Sequence, residues 1–434
     1  MTRHVLPAPE GGERVVLAAL TATERDGRAD LPDAGRLEEL KALAASAGAE
    51  VVGEVLQRRS RPDPATFLGR GKVEELRMEV AATGAEIVVF DNDLSPAQGK
   101  KLEDALGVRV LDRSELILDI FAERARTREA KLQVELAQLQ YLLPRLRRMW
   151  THLSRIRGGI GLRGPGETQL EVDRRTIRDR IATLKEKLGD IEKRRELQRR
   201  GRTDARNVAL VGYTNVGKST IMNRLAGEQL RAENRLFATL DATTRRVTLP
   251  GGEEILLTDT VGFIRDLPHH LVASFRATLE EVVHADLLLH VVDVADPRHP
   301  EQMRVVESVL RELGVVETPI LHVFNKLDRV PASERAAVRA RLLADDPGAV
   351  VASAVEARGL VALEEALAEF VRGTTRRVVV TLPLGESRAL ARLYEMGEVL
   401  ARRFTEGGIE VEMRARPEVV ERLRQEGVSL RAAS

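Results

Sequence analysis

The chain has no cysteine, 3% aromatic residues and a formal net charge of only +1. Each shortage removes a class of explanation. Without cysteine there is no disulfide, no thiolate nucleophile and no cysteine-ligated metal, which fits a reducing compartment. One tryptophan, three tyrosines and nine phenylalanines in 434 residues are too few for a platform that stacks successive bases. No run of about 18 apolar residues is present to span a bilayer. The first residues meet Glu10 and Glu13 before any long apolar run, so no signal peptide is read. A cytoplasmic protein without stable membrane insertion is expected. At this length roughly two to four domains are expected.

Against these absences stands the run Gly212-Tyr213-Thr214-Asn215-Val216-Gly217-Lys218-Ser219. Asn207 to Val211 before it reads as a strand, and Ser219 to Leu225, with Thr220 in its first turn, as a helix. That context is the one a phosphate-binding loop needs, because glycine lets backbone N–H groups turn toward a polyphosphate at the positive end of a helix. Lys218 is expected to reach the β and γ phosphates and Ser219 to ligate Mg²⁺. Farther along, Leu321 to Phe324 reads as a strand ending in Asn325-Lys326-Leu327-Asp328. A carboxylate at Asp328 can accept from both N1–H and the exocyclic amine of guanine, a donor pair that adenine lacks. Asn325 can meet the base at N7, the stem of Lys326 can cover the ring, and Ser353-Ala354 after the Val350 strand can touch the guanine edge through backbone groups. GTP is therefore the expected substrate.

Between these segments, Ile255 to Gly262 reads as a strand that delivers a carboxylate and then a glycine. Asp259 is placed to hold Mg²⁺ through water, and the Gly262 N–H to sense the γ phosphate. Phe237 to Arg245 is the second expected switch, with Thr243 as the hydroxyl that closes over Mg²⁺ and Thr244 as its nearest rival. Lys218, Thr243 and Gly262 are thus the expected catalytic set. Phe263 follows Gly262, where small signalling GTPases carry a glutamine that orients water. Phenylalanine cannot do so by a hydrogen bond, so slow intrinsic hydrolysis is expected. The side-chain carbonyl of Asn215 is a candidate ligand for K⁺ beside the phosphates.

Upstream of this set, Leu132, Leu136, Leu139, Leu143, Leu146, Trp150 and Leu153 recur at helical spacing, as do Ile177, Ile181, Leu184, Leu188 and Ile191. Each series gives one apolar seam, and two seams can bury each other in an antiparallel helix pair. Pro144 should bend or divide the first helix. From Pro144 to Gly166 there are six arginines, Arg145, Arg147, Arg148, Arg155, Arg157 and Arg163, and no acidic residue. The connector Gly158 to Gly166 is too glycine-rich for a helix and brings these arginines to a loop where RNA phosphates could be met. A hairpin with a merely solvated basic face is the plainer alternative.

At the amino end, strands near Ala49 to Val55, Glu86 to Phe90 and Val108 to Leu111 alternate with helices over Leu31 to Ala47 and Val73 to Thr83. Gly69-Arg70-Gly71-Lys72 reads as a loop entering the second helix. After Arg372 the expected order is strand (Arg377 to Leu382), helix (Glu386 to Arg403), strand (Ile409 to Ala415) and helix (Pro417 to Gln425). The seam of Leu390, Leu393 and Val399 serves that domain's own core.

Three upstream segments, Phe67 to Leu76, Gln133 to Leu139 and above all Gly164-Pro165-Gly166-Glu167-Thr168-Gln169-Leu170-Glu171, resemble the HflX family of ribosome-associated GTPases over at least residues 50 to 370. The resemblance implies an α/β, multidomain P-loop GTPase. Its expected parts are an N-terminal α/β domain (1–120), an antiparallel helical linker (121–202), a GTPase domain (203–372) and a small C-terminal βαβα domain (373–434). It implies Mg²⁺, guanine nucleotides, binding to the large ribosomal subunit and its 23S RNA, and dissociation of stalled or idle 70S ribosomes. A monomer is expected. The rival readings are a large-subunit assembly GTPase and a GTP-switched RNA-binding regulator acting off the ribosome.

Overall fold

Arg14–Thr21 (β1) is an apolar run buried along all but its first residue. A strand covered on both faces needs helices around it, and the sequence supplies them. In this computed structural model, which describes residues 12–21, 33–149, 165–200, 205–227, 236–237, 239–266, 276–373, 376–383, 387–405, 408–415, 417–425 and 428–432, the chain divides into two compact units. One contains the described residues of Met1–Ile191, Glu233–Asp241 and Ile264–Thr278, and the other those of Glu192–Ala232, Ala242–Phe263 and Leu279–Ser434.

In the first unit β1 lies between Glu50–Arg58 (β2) and Ile87–Phe90 (β3), and Arg109–Asp112 (β4) completes a parallel sheet of order β2-β1-β3-β4. Helices Asp33–Ser46 (α1), Arg70–Thr83 (α2), Pro96–Leu106 (α3) and Arg113–Arg124 (α4) accompany it. Helix α3 begins with a capping box, Ser95 and Gln98 each closing on the other's backbone. The glycine turn at Gly69 is the N-cap of α2, whose helix starts at Arg70. The alternating α/β pattern is as expected, but the central strand β1 and the helices α3 and α4 are additions to it.

Helices Arg128–Met149 (α5) and Pro165–Arg200 (α6) form the arm. Arg180 pairs with Glu135 through two bonds of 2.7 and 2.9 Å, and the seam of α6 is legible in Leu184, which is fully buried. Helix α5 has two buried faces, since Ala130, Gln133, Val134, Ala137 and Tyr141 are covered as well as Leu136 and Leu146. It runs through Pro144 without division. Pro165 and Gly166, expected in the connector, are the first residues of α6, where proline suits a first helical turn. Trp150, Leu153 and residues 158–164 lie outside the described residues.

In the second unit a six-stranded sheet has the order β10-β9-β8-β5-β7-β6. Its strands are Arg206–Gly212 (β5), Thr243–Thr248 (β6), Glu254–Asp259 (β7), Leu287–Asp293 (β8), Ile320–Asn325 (β9) and Val350–Val351 (β10), all parallel except β6 against β7. Lys218–Leu225 (α7), Arg276–Val283 (α8), His299–Glu312 (α9), Arg335–Asp345 (α10) and Val361–Gly373 (α11) alternate with them; α8 begins in the first unit's range. Ligands of such sheets bind beyond the carboxyl ends of the strands.

The C-terminal part corrects the expected βαβα order. Arg376–Leu382 (β11), Ser387–Met396 (α12), Glu398–Thr405 (β12), Gly408–Ala415 (β13), Pro417–Gln425 (α13) and Ser429–Ala432 (β14) give βαββαβ, with antiparallel sheet order β12-β13-β11-β14. The helix expected to reach Arg403 ends at Met396 because Gly397 packs against Arg414 O, where a Cβ would come within 2.6 Å. Leu390, Leu393 and Val399 still join the domain's core, Val399 from a strand.

Ion pairing carries weight inside the first unit. Arg113 is 2% exposed and its guanidinium meets Asp91 at 2.6 Å and also Glu39. Removing one partner of such a group leaves buried charge uncompensated, at a cost of ~3–5 kcal/mol. Arg113→Ala should lower the opening free energy of the β3 amides by about that amount in native-state hydrogen exchange. A loss below about 1 kcal/mol would mean the cluster is solvated.

Candidate functional site

The phosphate loop leaves β5 at Gly212, which has φ +150 and sits where a Cβ would be 2.4 Å from Val291 O. Only glycine fits that approach. Gly217, at φ +101, is the N-cap of α7, and Asn215 is also left-handed at φ +62. Lys218 begins the helix and is 6% exposed, donating from Nζ to Tyr213 O at 2.8 Å and Gly212 O at 3.2 Å. Burial pulls its ammonium down to about 8, against the attraction of Asp259 and with the repulsion of Lys326. A buried cation partnered by neutral carbonyls is a site built for an anion.

The three expected metal residues come together. Ser219 Oγ donates to Asp259 at 2.5 Å, and Thr243 stands opposite Asp259 in the β6–β7 register. Thr244 is committed elsewhere, its hydroxyl 2.9 Å from that of Thr258. Among the described residues no group of three or more His, Asp or Glu side chains could hold a metal ion alone. One carboxylate and two hydroxyls instead suit Mg²⁺, which takes its remaining oxygens from phosphates and water. Ser219, Asp259 and Thr243 would hold that ion, and it would neutralise charge on the phosphate oxygens.

Gly262 is packed against the loop: a Cβ there would lie 2.8 Å from Thr214 Cα and 3.0 Å from Lys218 Nζ. Its backbone is therefore packed close to the lysine that an anion would neutralise. Phe263 is fully buried, and its backbone clamps the loop, with Thr214 N donating to Phe263 O at 2.8 Å and Phe263 N to Gly212 O at 3.1 Å. The position that lacks a glutamine thus holds the phosphate loop in shape.

The base-reading residues are joined through one another. Asn325 is 1% exposed, donates to Val216 O at 2.9 Å and accepts from Ala354 N at 3.0 Å. Any N7 contact would fall to its second amide hydrogen. Lys326 spans from Asn215 O, 2.5 Å away, to Asp293, 2.7 Å away, which lays its stem across the site. Ser353 Oγ donates to Asp328 at 2.6 Å. The expectation for Ser353 and Ala354 needs correction, because their N–H groups turn inward to Gly359 O and Asn325 Oδ1. They support the guanine-reading side chains.

Arg335 escaped the sequence reading because it lies past the motif and looks like any charged residue opening a helix. It donates to Asp328 O at 2.5 Å and Val330 O at 2.9 Å and pairs with Glu356 at 3.2 Å, while Arg224 donates to Glu356 O at 3.1 Å. It braces the loop that carries Asp328 against the loop that carries Ser353.

The expected RNA contacts separate. Arg145 is corrected: it pairs with Asp112 at 2.7 Å, donates to Leu94 O at 2.9 Å and lies 3.5 Å over the Tyr141 ring, so its Nη2 donors are engaged inside the protein. Arg147 and Arg148 fall on the last turn of α5, their side chains not described, and Arg155, Arg157 and Arg163 lie outside the described residues.

Two outcomes are expected of the nucleotide site. Phosphate favours the charged Lys218, so binding takes up a proton between the free and bound pKa values; GDP affinity should be flat below pH about 8 and fall above it, by at most about tenfold per pH unit. Calorimetry from about pH 7.5 to about pH 9, above the last ionisation of the phosphate and below that of guanine N1–H, tests this, and an affinity that does not fall across that range would contradict it. Arg335→Ala should weaken GDP about tenfold and narrow the preference for GDP over inosine diphosphate, which lacks the amine that Asp328 reads. Equal losses for both nucleotides would make Arg335 a general stabiliser only.

Family models described as GTP-binding GTPase N-terminal, GTP-binding GTPase Middle Region and 50S ribosome-binding GTPase match residues 34–122, 124–202 and 207–326. GTPase HflX of Caldanaerobacter subterraneus subsp. tengcongensis is 47% identical over 95% of this chain and 93% of its own length. GTPase HflX of Escherichia coli K12 is 45% identical over 95% of each. A GDP-bound GTP-binding protein from Sulfolobus solfataricus is 24% identical with a TM-score of 0.41, covering 82% of this chain and 97% of its own. The chain belongs to the HflX family of GTPases and hydrolyses GTP to GDP and phosphate.

Proposed function

We propose that this GTPase binds the large ribosomal subunit through 23S RNA and dissociates stalled or idle 70S ribosomes, with the GTP-bound form active and hydrolysis as the reset. The observation that carries the reading is the match of residues 207–326 to a 50S ribosome-binding GTPase, in a chain that also carries a basic arm. GTP and Mg²⁺ order the segments around Thr243 and Gly262, and K⁺ at Asn215 is a further ligand to test by exchange against Na⁺. The arm then meets RNA phosphates through Arg147, Arg148, Arg155, Arg157 and Arg163. Phe263 leaves the attacking water unoriented by its side chain, so turnover waits on the ribosome. The factor acts as a monomer, with the domain divisions 1–120, 121–202, 203–372 and 373–434.

Sucrose gradients of purified 70S ribosomes test this. GTP or a non-hydrolysable analogue should support splitting, and GDP or Lys218→Ala should not. Binding without splitting under every nucleotide would favour the assembly role, and turnover indifferent to ribosomes would favour a regulator acting elsewhere. Neutralising Arg147, Arg148, Arg155, Arg157 and Arg163 together should weaken ribosome binding at least about tenfold at moderate salt and spare GDP affinity, while Arg145→Gln should instead lower stability. Undiminished ribosome binding by the fivefold variant across several salt concentrations removes the phosphate-contact proposal.

A further inference from the structure

Two short pieces that flank the nucleotide-sensing residues are built into the first unit. Asp241 precedes Thr243 by two positions, and Arg265 follows Gly262 by three. Both Asp241 and Arg265 belong to the compact unit that holds the N-terminal sheet and helix α5.

Asp241 holds the residue that caps that helix, Thr127. Its carboxylate accepts from Arg126 N at 3.1 Å and Thr127 N at 3.3 Å and from the Thr127 hydroxyl, which itself accepts from Ala130 N at 3.1 Å. The Thr127 hydroxyl thus satisfies a first-turn donor of the helix, and Asp241 orients that hydroxyl while placing negative charge at the positive end of the helix dipole. The same piece is pinned further upstream. Phe237 is 2% exposed and meets Phe121 edge-on at 4.7 Å, and Leu236 N donates to Ser46 Oγ at 3.0 Å.

Arg265 enters the charged cluster at the carboxyl end of β3. It donates to Asp91 at 3.1 and 3.3 Å, and its own carbonyl accepts from Arg113 at 3.2 Å. Glu39 and Arg36 complete the group, Arg36 lying 3.5 Å from Asp91. Open parallel sheets commonly receive a ligand beyond their strand ends; here a side chain from the Gly262 segment fills that place. An ion pair among groups this buried is costly to break singly, so Arg265 holds its backbone to the N-terminal sheet firmly.

A residue spans at most about 3.6 Å of chain. Asp241 is thus within about 7 Å of chain from Thr243, and Arg265 within about 11 Å from Gly262, so a shift of either sensing residue is felt directly at its tether. We propose that Asp241 and Arg265 are positioning residues of the GTPase, which tie the two γ-phosphate-sensing segments to the N-terminal unit and make the cap on helix α5 depend on which nucleotide is bound. This rests on reading Thr243 and Gly262 as γ-phosphate sensors. Linkage makes the dependence reciprocal: if the nucleotide alters the cap, the cap alters the preference between nucleotides.

Hydrogen–deuterium exchange of the full chain, loaded with GDP or with a non-hydrolysable GTP analogue, tests the proposal. The amides of residues 126–131 should exchange at rates that differ at least about fivefold between the two nucleotides. Asp241→Asn keeps one acceptor oxygen and the fold, and it should abolish that difference and change the ratio of analogue to GDP affinity by at least about fivefold. Asp241→Glu should restore part of both. Arg265→Gln should shift the same ratio, and Arg265→Lys should retain more of it. A purely structural cap would lower protection equally with either nucleotide and leave the affinity ratio unchanged, and that result overturns the proposal. The peptide 243–248 separates the two layers of inference. If it responds to nucleotide and 126–131 does not, the switch stands and the tether fails; if neither responds, the sensor reading fails with it.

Discussion

A buried ammonium held by carbonyl oxygens is the constraint around which the nucleotide site is arranged. Lys218 has lost its water, and Tyr213 O and Gly212 O offer dipoles in place of a counter-charge. Desolvation of that kind is tolerable only where an anion repays it. The close approaches nearby have the same origin. Gly212 and Gly262 must be glycine because the backbone around the ammonium is drawn tight, against Val291 O at one and against Thr214 and Lys218 at the other. Phe263 then fixes that shape by pairing with both Gly212 and Thr214. Its buried ring makes the clamp rigid and leaves no side-chain acceptor to hold a water. Rigidity of the loop and the missing glutamine are two consequences of one residue.

Base recognition is held in a similar way, by residues that act on one another before they act on a ligand. Asn325 bonds the phosphate loop at Val216 and the Ala354 loop, so the two halves of the site cannot drift independently. A Cβ on Gly217 would come within 2.4 Å of the Asn325 amide, which shows how closely the halves meet. Asp328 is oriented by Ser353 on its side chain and by Arg335 on its carbonyl. A carboxylate that must accept two hydrogen bonds in one plane benefits from such fixing, because less rotamer freedom is lost when the base arrives.

What could be read from the sequence follows from the range of the interactions. The strand, phosphate loop and helix around Lys218 are specified locally, by glycines at the turn and apolar runs on either side, and they fold as expected. The seam of α6 was legible for the same reason, since helical periodicity is a local signal. Strand β1 was not, although β3, equally buried, was: a continuous apolar run has no alternation, and the flanking residues have to mark it as a strand. The helix expected through Arg403 carried apolar residues that suit either structure, and only the close packing of Gly397 on Arg414 decides where it stops. Arg145 looked like its arginine neighbours in composition. Its partners Asp112 and Leu94 lie far away in the chain, and nothing within the basic run announces them.

That assignment of Arg145 also changes how the basic run is understood. A guanidinium stacked on Tyr141 and paired with Asp112 anchors the end of α5 to the N-terminal sheet. At the other end of α5 the N-cap residue Thr127 is held by Asp241. The C-terminal sheet offers a contrast. Two of its arginines are matched within the sheet, Arg377 with Glu412 at 2.6 Å and Arg431 with Glu410 at 2.9 Å. Charge that is paired across strands is available to a polyanion only at the cost of breaking those pairs. The run from Pro144 to Gly166 has no carboxylate of its own to form such pairs, so a partner for its arginines has to come from elsewhere in the chain, as Asp112 does for Arg145.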